Sequence, residues 1–290
     1  MWRLFQWIKA KTATPEETLR PGSGLLNAVG TDPADAEQTR DALTQLEGHL
    51  FCWLLNASPA ELERDTPNAP MVLAQLQTRL DNGRLMELPR QPAVLPMLMR
   101  ALSAEDISRH ELAGIILGDP ALTEQLLHVA NSPFFRPSDQ PIESVEHAIF
   151  LLGLDGVRSV AAAAVMRPMM TARSNQEALF TQRVWRWGLS CARSAELIAR
   201  SQGADGNAFF LVSLVPALTY ITLRREVTRI YRSQNQAGLP EPAIIRTALH
   251  THEWDVARLL SARWDLPPPI PGLPDDGGAP GPQRATHTHQ

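Results

Sequence analysis

From Ser108 to Arg167 the chain is punctuated, at helix-length intervals, by residues that start and stop helices. No stretch shows the period-two alternation of β-branched and aromatic residues that marks a strand. This predicts an all-α fold. Ser108 and Glu111 stand at capping-box spacing, and Gly118 stops the helix that follows them. Asp119 and Pro120 then restart one, as an N-cap acceptor followed by a residue whose missing N–H costs nothing at the first helical position. Leu122, Leu126 and Val129 stripe this helix, and Asn131-Ser132-Pro133 ends it, because a residue before proline is pushed out of the α region. Ser144 to Leu152 forms a further helix that ends at Gly153. Asp155 caps an alanine-rich helix running to about Arg167, whose Ala161 to Ala164 suit close packing.

Helical text continues through Val184 to Arg200, Ala208 to about Arg232 and Pro242 to Trp264. Pro216 falls inside the second of these, and a kink or break is expected there. Ahead of Leu85 lie an N-terminal peptide, a linker from about Thr12 to Pro33, and helices near Ala36 to Leu55 and Met71 to Leu80. Beyond Trp264 the prolines and glycines leave almost nothing to bury, so that segment is expected to be disordered. The expected division is residues 1–84 as an accessory segment, 85–267 as the main helical domain and 268–290 as a tail.

With 290 residues, 44% hydrophobic and 20% charged, the chain can bury a large core without staples, and no apolar run approaches a bilayer span. Its two cysteines, Cys52 and Cys191, make no disulfide framework, so a reducing cytoplasm is expected. The formal charge of −4 supplies no basic field, and no nucleic-acid partner is expected.

No catalytic constellation emerges from the residues. No HExxH or paired Cys/His arrangement is present. His250 and His252 point to different sides of a helix, His287 and His289 lie in the tail, and His110, His128 and His147 each stand alone. A nucleophile elbow and a phosphate-binding glycine loop are also absent. Neither catalytic residues, metal ligands nor a cofactor are expected.

A specific family pattern runs from Leu88 to Met166. Leu88-Pro89-Arg90-Gln91-Pro92, Glu111-Leu112-Ala113, Asp119-Pro120-Ala121-Leu122-Thr123, Ala130-Asn131-Ser132, and Ala148-Ile149 with Leu152-Gly153 follow in order. This series resembles the HDOD domain, and the likeness extends more weakly to about residue 267. It implies a helical relative of the HD and HD-GYP phosphohydrolases, of the catalytically empty kind used in bacterial signalling.

The HD enzymes hold divalent metal with a histidine on one helix and a His-Asp pair on a later one. Where the resemblance implies a Trp-Arg-His-Ser pattern, this chain has Trp185-Arg186-Trp187-Gly188. Where it implies Phe-Leu-Ala-Gly-Leu-Leu-His-Asp, Pro216 and Ala217 stand at the paired ligands. A further family histidine, before the Trp-x-Leu-Pro segment at Trp264-Asp265-Leu266-Pro267, falls at or beside Glu253, with His252 adjacent. Metal catalysis needs imidazole or carboxylate ligands to activate a water, and Trp187, Pro216 and Ala217 supply none. Trp187 is expected to fill the space a metal site would use. The resemblance also implies helices after Trp-x-Leu-Pro, where this chain continues into its proline-rich segment.

Two other features bear on partners. Met1, Leu4, Phe5 and Ile8 share one helical face beside Arg3, Lys9 and Lys11, as in an interfacial peptide, so residues 1–11 are expected either to dock on the body or to touch a membrane weakly. Arg224, Arg225, Arg229 and Arg232 share roughly one face, which suits phosphate, although such runs more often pair with neighbouring acids. Trp185, Trp187 and Trp254 are expected to fill core rather than line a pocket. The resulting expectation is a non-enzymatic, protein-binding signalling scaffold. Its partners would be regulatory proteins such as cyclic-dinucleotide enzymes or sensor kinases. The alternatives are a divergent metal-dependent phosphohydrolase and a nucleotide-sensing module that uses the arginine face.

Overall fold

The computed structural model describes residues 33–97, 108–136, 139–234 and 238–264. The N-terminal peptide at residues 1–11, the linker that follows it and the tail at 268–290 lie outside the described residues.

Every regular element among the described residues is helical. The order is α1 (Pro33–Leu55), α2 (Pro59–Leu62), α3 (Ala69–Asp81), α4 (Arg109–Leu117), α5 (Pro120–Ala130), α6 (Val145–Met166), a 3-10 turn (Arg167–Met170), α7 (Asn175–Ser201), α8 (Gly206–Ser233) and α9 (Pro242–Trp264). The caps follow from sequence chemistry. The Ser108 hydroxyl accepts from the Glu111 N–H at 3.1 Å, Asp119 accepts from the N–H groups of Ala121 and Leu122, and Ser144 accepts from that of His147 at 3.0 Å. Each such cap stabilises its helix by about 1 kcal/mol.

Gly153 divides α6, with φ 70° and ψ 175° between two helical stretches. That backbone region is open essentially to glycine alone. Gly153→Ala is therefore expected to cost about 1–3 kcal/mol, read as a lowered midpoint in urea unfolding. After the break, Ala161 to Ala164 are at most 1% exposed, so small side chains let neighbouring helices close on every side of α6.

Helix α8 is the centre of the bundle. It packs against α7, α9, α6 and α3, and its apolar residues point all round, as in a fully enclosed helix. Val145–Met170 and Gly206–Ser233 are long and apolar enough to span a bilayer by composition, contrary to the expectation of no such run. Each lies mostly inside the protein, so their apolarity is that of core helices.

The expected break at Pro216 does not occur, since α8 runs from Gly206 to Ser233 with Pro216 inside it. Leu214, Val215, Ala217 and Leu218 are all buried around the proline. Burial on this scale offsets the roughly 3 kcal/mol that an interior proline costs.

The accessory helices are not separate from the main core. Phe51 and Leu54 of α1, and Val72, Leu76 and Leu80 of α3, belong to one apolar cluster with α8. Helix α1 ends at Leu55, and the left-handed φ of 54° at the following Asn56 lets the Ala57 N–H reach back to the Cys52 carbonyl at 3.1 Å. At the other end of the described chain, Trp264 is 2% exposed and donates to the Pro89 carbonyl, while Gln91 donates to the Trp264 carbonyl at 2.9 Å. The first and last parts of the domain are thus strapped together at Trp264.

Candidate functional site

Trp187, Pro216 and Ala217, which the resemblance aligns with HD metal ligands, lie where α7 crosses α8. Gly188 faces Ala217 so closely that a Cβ built on the glycine would stand 2.6 Å from the Ala217 Cβ. Only the absence of a side chain allows this approach. One residue earlier, Trp187 stacks on Tyr220 of α8, with centroids 4.9 Å apart and planes 14° from parallel. Tyr220 also stacks with Phe51 of α1 at 6.2 Å. Phe51 and Tyr220 are buried, whereas Trp187 and Pro216 are half-buried. The indole N–H of Trp187 is buried and has no acceptor among the described residues.

The polar groups around these rings are few. The Tyr220 hydroxyl donates to Glu253 of α9 at 3.4 Å. Burial pushes the Tyr220 phenol well above its ordinary value, and the Glu253 and Glu47 carboxylates push it the same way. Burial likewise raises the Cys191 thiol to about 11, with Glu253 adding to the effect, so the thiol is a poor nucleophile and a poor metal ligand at neutral pH. His252 is buried, with Nδ1 3.4 Å from Asp255. Among the described residues no three His, Cys, Asp or Glu side chains converge as a metal site would require. The donor set at Trp187, Pro216, Ala217 and Glu253 does not fit a divalent metal.

Helix α1 covers this region. His250 of α9 meets Glu47 at 3.0 Å, and Arg183 of α7 donates to the Trp53 carbonyl and to the Asn56 side chain. The hydrogen bond from His250 holds the Glu47 carboxyl below its ordinary 4.5, against the opposing effect of burial. A depressed carboxylate stabilises the fold above its unfolded pKa, and the contribution is lost as pH falls through the folded value. Glu47 is 41% exposed, so solvent screening limits the pair to on the order of 0.2–1 kcal/mol. Glu47→Gln is expected to melt slightly below the parent at pH 6 and to converge on it as pH falls through the depressed Glu47 carboxyl value.

The arginine face is already engaged with the protein itself. Arg225 pairs with Glu177 at 2.5 Å and donates to the carbonyls of Met169 and Thr171, fastening the turn between α6 and α7. Arg224 donates to the Gln176 carbonyl and lies over the Phe180 ring, while Arg229 reaches Glu87 at 3.3 Å. Arg232 is exposed at the end of α8. Trp185 packs partly against the core under the Arg167 guanidinium, and Trp254 is half-buried on α9.

The family-pattern positions serve the fold. Leu88 packs on the core and Pro89 receives Trp264. Asp119 and Pro120 start α5, and Gly153 breaks α6. Asn131 donates to the carbonyls of Leu127 and Ile142 and accepts from the Ile142 N–H at 2.8 Å, closing the segment between α5 and α6. Ser132 accepts through its carbonyl from the N–H groups of Phe135 and Arg136. Leu152 is half-buried against the core.

A model of the HDOD domain matches residues 88–272. The chain belongs to the HDOD family. A candidate metal-dependent phosphohydrolase from Shewanella amazonensis SB2B is 20% identical to this HDOD chain, with a TM-score of 0.53 over 70% of this chain and 72% of that one. An HDOD domain protein of unknown function from Geobacter sulfurreducens is 23% identical, with a TM-score of 0.47 over 66% and 67% of the two chains. An uncharacterised protein of Treponema pallidum (strain Nichols) is 21% identical over 217 residues, which is 73% of this chain and 40% of that protein. The HDOD chain therefore spans less than half the length of that relative. The Shewanella likeness shows the shared fold and nothing of its chemistry.

Sequence reasoning passed over Tyr220 and Phe51. Tyr220 reads as one more apolar position of an enclosed helix, and Phe51 lies outside the family pattern. The buried carboxylate Glu196 was also missed, and Glu226, the acid beside the arginine run, proves to be buried. Arg193 and Arg200 bind Glu196, and Arg79 binds Glu226. The i,i+3 and i,i+4 spacing of the first set was visible in the sequence. Nothing local linked Arg79 to Glu226.

Proposed function

We propose that this HDOD chain is a non-enzymatic module of bacterial signal transduction that works by binding other proteins. The observation that carries the reading is the filling of the HD ligand positions. Trp187 is stacked on Tyr220, Pro216 lies within an unbroken helix, and Ala217 is closed against Gly188. Metal-assisted phosphodiester hydrolysis requires a bound, activated water, and Trp187, Pro216 and Ala217 carry no imidazole or carboxylate to hold a cation. Regulatory proteins such as cyclic-dinucleotide enzymes or sensor kinases are the partner class that the family suggests. The unpaired thiols of Cys52 and Cys191 support a reducing cytoplasm as the setting.

The test is turnover by the full chain, purified without chelator and supplied with manganese, on cyclic di-GMP and on bis(p-nitrophenyl) phosphate. The expected rate equals that of manganese alone. Turnover abolished by Glu253→Gln would contradict the reading and restore the divergent phosphohydrolase.

A further inference from the structure

Helix α1 lies outside the residues matched by the family, and its outer face carries a largely apolar stripe. Ala42, Leu46, His49 and Trp53 recur at spacings of four, three and four, which places them on one side of the helix. All four are exposed, Leu46 at 50% and Trp53 at 39%, while Phe51 and Leu54 on the other side enter the core. Charge is spread unevenly along the same helix. Its first half carries Asp35, Glu37 and Asp41 against Arg40. At its far end the Arg183 guanidinium of α7 lies 5.6 Å from the Trp53 ring centroid and donates to the Asn56 side chain. Among the described residues no carboxylate pairs with Arg183, whose hydrogen bonds go to the Trp53 carbonyl and the Asn56 amide.

We propose that this face is a homodimer interface, in which α1 packs antiparallel on α1 of a second copy of the chain about a two-fold axis. The occupant follows from the match of the face to itself. An axis passing between residues 47 and 48 sets Leu46 opposite His49 of the partner subunit, and the small Ala42 opposite the large Trp53 of the partner subunit, each contact occurring twice. The same register brings Asp41, which is exposed, level with Leu54 of the partner subunit, at the end of the helix where Arg183 stands without an acid. A parallel pairing would instead set indole on indole and the acidic half on the acidic half. The stripe from Ala42 to Trp53 is about 17 Å long. Contact of that extent belongs to the weak, transient class of interfaces, below about 1,200 Å² in total, and association is expected on the order of 10–100 μM. The pairing goes beyond the binding-module reading, and it would present any partner site in duplicate.

The test is sedimentation velocity of the full chain from about 2 to about 200 μM, a range that brackets such an interface. The 32.0 kDa species is expected to give way to one of twice that mass as concentration rises. Leu46→Glu, a change at an exposed position, should weaken association at least about tenfold. Ala42→Trp and Trp53→Ala should each weaken it about tenfold, the first by opposing two indoles and the second by removing the aromatic anchor. The double variant should recover most of the loss, because exchanging the two side chains restores both contacts across the axis. Thermal melts of each variant separate weakened pairing from a damaged fold. A chain that stays monomeric throughout, whether residues 1–11 or solvent meets the stripe, would overturn the proposal. So would a dimer indifferent to Leu46→Glu, or a double variant no better than the weaker single one. Those results leave the binding-module reading standing, whereas phosphodiester turnover would remove that reading and not the dimer.

Discussion

Arg79→Ala is expected to lower the unfolding free energy by about 3–5 kcal/mol, read from urea unfolding followed by circular dichroism. Its partner Glu226 is 0% exposed in the middle of α8, and the two side chains meet at 2.5 Å. The other Glu226 oxygen accepts from the Glu87 N–H at 2.9 Å. Removing the guanidinium leaves a carboxylate inside the protein with that N–H as its remaining contact in this group, and a buried charge without its counterion is far costlier than a lost surface pair. Arg79→Leu combined with Glu226→Leu is expected to recover most of the loss, because neither charge is then buried alone. Recovery should stop short of complete, since the Glu87 N–H loses its acceptor. A loss below about 1 kcal/mol for Arg79→Ala would show that the accessory helix α3 is not tied to the core in this way.

Ala217→Asp, which restores one of the acidic ligands that HD enzymes carry, is expected to damage the fold rather than regain chemistry. Ala217 is 0% exposed, and its Cβ already sits at the Gly188 backbone. A carboxylate placed there must be desolvated and must also push α7 away from α8. Together these effects are expected to cost more than about 4 kcal/mol, in the range reserved for buried charge and overpacking. Gly188→Ala isolates the steric part and is expected to cost about 1–3 kcal/mol. Near-parental thermal stability of Ala217→Asp would mean that the helices are not closed at this crossing.

Much of the fold was legible because its punctuation is local. Ser108, Asp119, Ser144 and Gly153 act through neighbours within a few residues, so their caps and breaks could be read directly and appear in the structure at those positions. The helix break that Pro216 suggests does not form, for the converse reason. The residue's local preference is to break a helix, and it is overridden by packing around α8 that no short window contains. That Trp187, Pro216 and Ala217 carry no ligand atoms at the positions the resemblance aligns with HD metal ligands is legible in the sequence. What fills the space is not, because Phe51 reaches Tyr220 across a separation in sequence that carries no periodic signal. The same limit hid Arg79–Glu226 and the seating of Arg225 on Glu177.

The most direct test of the central claim, that aromatic and small side chains have replaced the metal centre, is a titration of the full chain with manganese followed by electron paramagnetic resonance. The account predicts that the free-ion signal matches that of a protein-free solution at every concentration. Loss of one equivalent of signal per chain, reversed by Glu253→Gln, would contradict it.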